Sequence, residues 1–142
     1  CTPLQAATML SIIANDGILV QPSLIKRYVN IDDIKVDSTL QRQEPERVIS
    51  KNTARKVKTA LEAVIEYGTG TMAYTPPEIG KSAGKTGTAE VTKNVNHAWF
   101  VGYHPADNPK YIISVFNEKG GAGPVKAAPI FKNIIEKINC LN

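Results

Sequence analysis

The sequence contains few cysteines, histidines and aromatic residues. Its 142 residues include two Cys, two His and one Trp, and aromatic residues make up 6% of the chain. Cys1 and Cys140 lie near opposite ends and form no CxxC or Cys/His pattern, which excludes the common zinc motifs. We expect two free thiols, although a disulfide between them stays open. His97 and His104 have no third ligand nearby, so we expect neither a metal site nor a cofactor.

The chain also lacks a long hydrophobic run and a strong excess of one charge. No stretch approaches the roughly 18 consecutive apolar residues of a membrane helix. The net charge is +4, and the basic residues are interspersed with acidic ones rather than with aromatic ones. This pattern argues against a nucleic-acid partner. A length of 142 residues with 42% hydrophobic residues suits one compact domain with its own core.

Three segments carry helix signals. Thr2, Pro3 and Gln5 form a capping box before the first helix, and residues 15–17 (Asn-Asp-Gly) end it. Ser50 caps the second helix, and residues 68–70 (Gly-Thr-Gly) end it. A glycine-rich loop, residues 120–123, precedes the third helix. The three predicted buried stripes are, in turn, Ala6, Met9, Leu10 and Ile13; Val57, Leu61, Val64 and Ile65; and Ala127, Ile130, Phe131, Ile134, Ile135 and Ile138.

Strand signals lie between these helices. Residues 18–20 predict a short strand, and residues 82–91, 97–103 and 111–117 predict three longer ones. The turn-rich connection at 104–109 is short enough for antiparallel pairing. Residues 26–46 predict an edge hairpin or an irregular excursion, and residues 31–46 carry no motif that we identify. The order of elements predicts an α+β fold, in which helices pack on an antiparallel sheet.

The segment Gly84-Lys85-Thr86-Gly87-Thr88 is the most informative part of the sequence. It resembles the end of a phosphate-binding loop, but that motif requires glycine at position 79, where the chain has Ile79. The triplet Lys-Thr-Gly is also typical of the substrate-binding strand of serine acyl-transferases that react with penicillin. A cation and two hydroxyls can bind a peptide carboxylate, and the glycine lets another backbone approach the strand.

Several further stretches resemble the C-terminal part of the transpeptidase domain of class B penicillin-binding proteins, especially the cell-elongation type similar to penicillin-binding protein 2. They stand in the family's order. They are residues 2–5 (TPLQ), 13–17 (IANDG), 68–71 (GTGT), 83–90 (AGKTGTAE), 98–103 (AWFVGY) and 127–131 (AAPIF). We expect Trp99 and Phe100 within the fifth stretch to fill the core. The resemblance implies the C-terminal part of a transpeptidase fold like that of penicillin-binding proteins and β-lactamases.

The resemblance implies an enzyme that cross-links peptidoglycan stem peptides and is acylated by β-lactam antibiotics on the same serine. Lys85 would then shape the proton network and the electrostatics of the catalytic site. Thr86 and Thr88 would bind the carboxylate of the substrate or drug, and the Thr88 backbone N–H would form half of an oxyanion hole. Gly87 would keep the strand open to the substrate.

The resemblance also implies partners and a location. The partners are the upstream half of the same domain and membrane proteins of cell elongation, and the location is the outer face of the bacterial cytoplasmic membrane. Two alternatives stay open. One is a β-lactam sensor or a β-lactamase relative, and the other is a non-catalytic interaction domain with the same fold.

Three serines imitate the other motifs of the family. Ser23 precedes Lys26 in an S-x-x-K pattern, Ser50 precedes Asn52 in S-x-N, and Ser82 precedes Lys85 in S-x-x-K. Ser23 follows a strand and Ser82 lies within one, whereas a catalytic serine should begin a helix; Ser50 is better explained as a helix cap. We therefore expect the nucleophile to lie outside this chain. The chain opens without Met, and we expect residues 1–142 to be the C-terminal portion of a single domain whose S-x-x-K and S-x-N motifs lie upstream.

Overall fold

The computed structural model describes residues 1–25, 28–29, 36–37 and 43–141. Four α-helices and seven strands lie in these ranges. The helices are α1 (Pro3–Ala14), α2 (Lys51–Glu66), α3 (Gly123–Lys126) and α4 (Ala128–Cys140), with two 3-10 turns at Thr71–Ala73 and Pro77–Ile79. The strands are β1 (Ile18–Leu19), β2 (Tyr28–Val29), β3 (Val36–Asp37), β4 (Glu46–Arg47), β5 (Ala83–Thr92), β6 (Val95–His104) and β7 (Tyr111–Asn117).

The first two helices begin as the sequence predicts. The Thr2 hydroxyl accepts from the Gln5 backbone N–H, and the Gln5 side chain accepts from the Thr2 N–H, which completes the capping box. Asp16 and Gly17, with φ of 55° and 92°, end α1 in the left-handed region. The Ser50 hydroxyl accepts from the Thr53 N–H and caps α2.

The long strands form one antiparallel sheet in the order β5-β6-β7. The sequence predicted all three strands, with ends displaced by at most two residues. Within the described chain, β5 pairs only with β6 and is therefore an edge strand. Two small pairs, β1 with β4 and β2 with β3, are also antiparallel. The pairing of β2 with β3 agrees with the predicted hairpin, whereas residues 26–27, 30–35 and 38–42 lie outside the described residues.

Helices cover both faces of this sheet. On one face, Phe100 packs against Phe131 of α4, with ring centroids 4.8 Å apart, and neither side chain is exposed. On the other face, Tyr103 packs with Leu10 of α1 and Leu61 of α2. The observed architecture is therefore the predicted α+β fold. Among the described helices, none combines the length and the apolar character needed to span a lipid bilayer.

Several side chains that the sequence places in the core are less buried than expected. Met9 is 62% exposed and Ile130 is 40% exposed, and Ile138 and Trp99 are only half-buried. In α1 the buried stripe runs through Ala6, Leu10 and Ala14 instead. The 3.6-residue period identifies one face of a helix, but it does not show how much of that face the neighbouring elements cover.

A buried chain of hydrogen bonds joins the start of β5 to the end of β6. The Thr75 hydroxyl donates to the Gly80 carbonyl oxygen at 2.7 Å, so it must accept from the Ser82 hydroxyl, 3.2 Å away. Ser82 in turn accepts from Nδ1 of His104 at 2.9 Å. The Nε2 atom of His104 then accepts from the Asn139 amide at 3.4 Å. This direction of donation requires neutral His104, and burial of His104 lowers its pKa below the ordinary value.

We expect the free energy of unfolding to fall as the pH drops below about 6.5, the ordinary pKa of histidine. The unfolded chain takes up a proton there, whereas folded His104 resists protonation because its pKa is lowered, so acid favours unfolding. Urea unfolding of the wild-type chain and of His104→Gln at pH 7.5 and at pH 5 would measure this. The His104→Gln chain should lose less unfolding free energy between pH 7.5 and pH 5 than the wild-type chain does. An equal loss in both chains would contradict the assignment.

Candidate active site

The KTGT segment (residues 85–88) lies in the middle of β5, where backbone pairing decides which way each side chain points. Lys85 pairs with Val101 and Gly87 with Trp99, whereas Thr86 pairs with Phe100 and Thr88 with Ala98. Paired residues share one face of an antiparallel sheet. Lys85 and Gly87 therefore lie on the face that α1 covers, and the two threonines lie on the face that α4 covers.

The Lys85 ammonium group bends back to its own strand. Its Nζ atom donates to the Thr86 carbonyl oxygen at 2.9 Å and to the Thr86 hydroxyl at 3.2 Å. Lys85 and Thr86 side chains start on opposite faces, so this contact runs around the free edge of β5. Within the described residues, Lys85 forms no salt bridge. Its positive charge is therefore available to an anionic ligand at this edge.

The Thr86 hydroxyl has a second partner from outside the strand. The Oγ1 atom of Thr69, in the turn that follows α2, lies 2.8 Å from Oγ1 of Thr86. Thr86 is only 9% exposed, whereas Thr69 is exposed. The hydroxyl that the sequence assigns to carboxylate binding is therefore held between an ammonium group and another hydroxyl.

The Thr88 hydroxyl is held in a different way. It accepts a hydrogen bond of 3.2 Å from the backbone N–H of Gly123, the first residue of α3. A hydroxyl that accepts from an amide keeps its own proton for another acceptor. Thr88 is exposed, so that proton can reach a ligand. The role of the Thr88 backbone N–H in an oxyanion hole stays a prediction.

The surroundings of Gly87 and Gly123 explain why both residues are glycine. A Cβ atom on Gly87 would lie 3.1 Å from Cβ of Trp99 across the sheet, which is closer than ordinary contact. A Cβ atom on Gly123 would overlap the Gly87 carbonyl oxygen and lie 2.5 Å from that of Trp99. Gly123 therefore packs directly on the backbone of the sheet, and this contact brings its N–H to Thr88.

An open apolar groove of about 390 Å³ lies beside the KTGT segment. Its walls come from α1 (Met9, Leu10, Ile13), α2 (Val57, Leu61) and β6 (Trp99, Val101), together with Lys85, Thr86 and Gly87. Nearly all of the exposed lining is apolar, with the Lys85 cation at its edge. In the described part of the chain, no group of three His, Cys, Asp or Glu side chains could hold a metal ion.

Comparison with known proteins identifies the family of this site. Residues 1–136 match the family described as the penicillin binding protein transpeptidase domain. The chain belongs to this transpeptidase family. Stage V sporulation protein D of Bacillus subtilis is 35% identical over 94% of the chain, and the peptidoglycan D,D-transpeptidase PbpA of Mycolicibacterium smegmatis is 33% identical over 91%.

A solved relative agrees in structure as well as in sequence. The crystal structure of penicillin binding protein 3 from Mycobacterium tuberculosis, complexed with aztreonam, superposes on 97% of the chain with a TM-score of 0.85 and 34% identity. The chain covers 34% of that structure. It spans 22% of the B. subtilis protein and 27% of the M. smegmatis protein. The chain therefore corresponds to a minor part of each longer relative.

The three serines that imitate transpeptidase motifs occupy unsuitable places. Ser23 lies in a loop and donates to the Ile25 carbonyl oxygen, and Lys26 is outside the described residues. Ser50 is the cap of α2. Ser82 contacts a histidine, but it is 4% exposed, and it accepts a hydrogen bond from that ring rather than donating one to it.

Two site residues of this transpeptidase chain were not assigned from the sequence. Thr69 lies in the quoted GTGT stretch, and Gly123 ends the glycine-rich loop, but neither had a role. Thr69 is 17 residues from Thr86 along the chain, and Gly123 is 35 residues from Thr88. No local pattern connects residues at such distances, so only the folded sheet reveals these contacts.

We expect Gly123→Ala to destabilise the chain by about 1–3 kcal/mol, because the new Cβ would push α3 away from the sheet. The Thr88 hydroxyl would lose its amide donor at the same time. Urea unfolding monitored by circular dichroism would measure the loss. Val125→Thr is the matched control, because Val125 lies in the same helix and is 56% exposed, so its replacement should change stability by less than about 0.5 kcal/mol. Equal midpoints for Gly123→Ala and the wild type would contradict the steric argument.

Proposed function

We propose that this chain is the C-terminal part of the transpeptidase domain of a serine-type peptidoglycan D,D-transpeptidase and supplies its substrate-binding strand. One observation carries the proposal. The KTGT segment presents two threonine hydroxyls and an ammonium group that has no carboxylate partner among the described residues, and each hydroxyl is held by a partner outside the strand. This donor set suits a carboxylate, such as the C-terminus of a stem peptide or the acid group of a β-lactam.

The proposed reaction has two acyl-transfer steps. The upstream serine attacks the penultimate D-Ala carbonyl carbon, an ester bond forms, the amide bond breaks, and the terminal D-Ala leaves with the serine proton on its amine. The amine of a second stem peptide then attacks the ester, forms the cross-link and returns a proton to the serine. The KTGT segment would bind the terminal carboxylate in the first step, and the Thr88 N–H would stabilise the oxyanion.

The apolar groove supports the proposal that an upstream half of the domain packs against this chain. A groove lined by aliphatic side chains and Trp99 exposes surface that a complete domain would bury. The groove runs up to Lys85 and Gly87, so an element seated in it would bring its own side chains to the KTGT segment. The relatives provide ample chain for this, since this chain spans less than a third of either curated relative.

The proposal extends to the activity of the isolated chain and to the location of the whole protein. The chain alone should be inactive, because none of the serines Ser23, Ser50 or Ser82 is placed as a nucleophile. The whole protein would act at the outer face of the cytoplasmic membrane, where its peptidoglycan substrate lies. It would work with membrane proteins of cell elongation, as the resemblance implies.

Labelling with a fluorescent penicillin, followed by mass spectrometry, tests the proposal. The full-length protein should gain one covalent adduct on an upstream serine, and the isolated chain should gain none. An adduct on Ser23 would show that the nucleophile lies in this chain after all. If the full-length protein remains unlabelled, the transpeptidase proposal is wrong. Rapid hydrolysis of the adduct would favour a β-lactamase instead.

A pair of charge substitutions on α1 tests whether the groove is covered in the whole protein. Met9 lines the groove and is 62% exposed, whereas Leu4 is outside it and is 58% exposed. In the isolated chain, Met9→Lys and Leu4→Lys should each change stability by less than about 0.5 kcal/mol. In the full-length protein, Met9→Lys should cost at least about 2 kcal/mol because it buries an unpaired charge, and Leu4→Lys should not.

Thermal unfolding of the four variants and of the two unsubstituted proteins would measure these changes in stability. A full-length protein that tolerates Met9→Lys as well as Leu4→Lys would show that nothing covers the groove.

A further inference from the structure

Thr69 reaches the KTGT segment from outside the sheet. Its hydroxyl oxygen lies 2.8 Å from the hydroxyl oxygen of Thr86, which makes it the nearest hydroxyl partner of that residue. The two glycines around Thr69 fix its position. Gly68 and Gly70 donate their backbone N–H groups to the carbonyl oxygens of Ala63 and Val64, at 3.0 Å and 2.8 Å. A Cβ atom on either glycine would lie within 3 Å of Val64, so the tight turn requires both.

The direction of the contact determines whether the Thr86 proton is available to a ligand. Lys85 carries only donors, so its 3.2 Å contact uses one lone pair of the Thr86 oxygen. The contact with Thr69 can run in either direction in the free protein. When Thr69 donates, both lone pairs of Thr86 are occupied, and the Thr86 proton is free to point at a ligand. When Thr86 donates instead, its proton is already used.

A carboxylate ligand decides between these two directions. An ionised carboxylate only accepts, so binding it through Thr86 requires the Thr86 proton. Thr69 must then act as the donor, and the protons run from Thr69 to Thr86 to the ligand. Hydrogen bonds aligned in this way polarise one another and strengthen the contact to the anion.

We propose that Thr69 is a positioning residue of the carboxylate site: by donating to Thr86, it releases the Thr86 proton for the carboxylate of the stem peptide or β-lactam. This inference rests on the proposed transpeptidase function. It assigns to Thr69 no contact with the ligand itself. Thr69 acts through Thr86, so removing its hydroxyl should weaken ligand capture only while the Thr86 hydroxyl is present.

The test measures the second-order rate constant of acylation of the full-length protein by benzylpenicillin and by its methyl ester. Thr69→Val should lower the constant for benzylpenicillin about three- to tenfold, the range for one neutral hydrogen bond. Thr69→Ser should restore it, because serine keeps the hydroxyl, and Thr69→Ala should match Thr69→Val. The ester, which carries no carboxylate, should respond to none of these substitutions. Thr92→Val is the matched control, because Thr92 is also an exposed threonine but lies at the far end of β5, away from residues 85–88.

A double-mutant cycle separates positioning from direct contact. If Thr69 acts through Thr86, the double variant Thr69→Val, Thr86→Val should be no slower than Thr86→Val alone. Losses that multiply would overturn the proposal and show that Thr69 contacts the ligand itself. Equal losses with benzylpenicillin and its ester would also overturn it, since they would indicate a structural role.

The two proposals fail in different ways. If the wild-type full-length protein is not acylated at all, the proposed transpeptidase function is wrong. If the wild type is acylated and Thr69→Val reacts equally fast, the function stands and the role of Thr69 is refuted. Thermal unfolding of each variant would confirm that Thr69, an exposed residue, can be replaced without unfolding the protein.

Discussion

The pairing of β5 with β6 is the constraint on which the rest of the structure depends. It sets Thr86 opposite Phe100 and Gly87 opposite Trp99. A slip of one residue would reverse the faces of one strand relative to the other, and would turn either Phe100 out of the core or Lys85 away from the groove. The register is held because Phe100 packs fully buried against Phe131 of α4. Packing on one face of the sheet thus determines where the charged and hydroxyl groups stand.

Three separate parts of the chain build the candidate site around this register. β5 supplies the cation and both hydroxyls, the turn after α2 supplies Thr69, and the start of α3 supplies the amide of Gly123. Each contact by itself is worth about 1 kcal/mol. Their common effect is to fix the positions of the two hydroxyl oxygens before a ligand arrives, so that binding does not have to order these side chains.

The second main feature of this chain is its exposed apolar surface. Phe131 and Ile135 of α4 face a sheet that covers them, whereas the outer side of α1 and the Trp99 end of β6 border an open groove. The sequence pattern is the same in both places, because apolar residues recur at the spacing of a helix or a strand. The difference lies in whether a neighbouring element is present. This accounts for the exposure of Met9 and Trp99, which both line the groove.

Local chemistry in the sequence determined the elements and the character of the site: the Thr2 capping box begins α1, the Ser50 cap begins α2, and the β-prone runs at 97–103 and 111–117 predict two of the long strands. The motif stretches determined the family and the functional segment, because Lys85, Thr86 and Thr88 are neighbours in the chain. Only the tertiary structure decided that Thr69 holds Thr86, that Gly123 holds Thr88, and that Trp99 faces a groove rather than the core. Those contacts join residues far apart in sequence. Their energies depend on the register between β5 and β6 and on which neighbouring elements cover each surface, and no local sequence pattern encodes either.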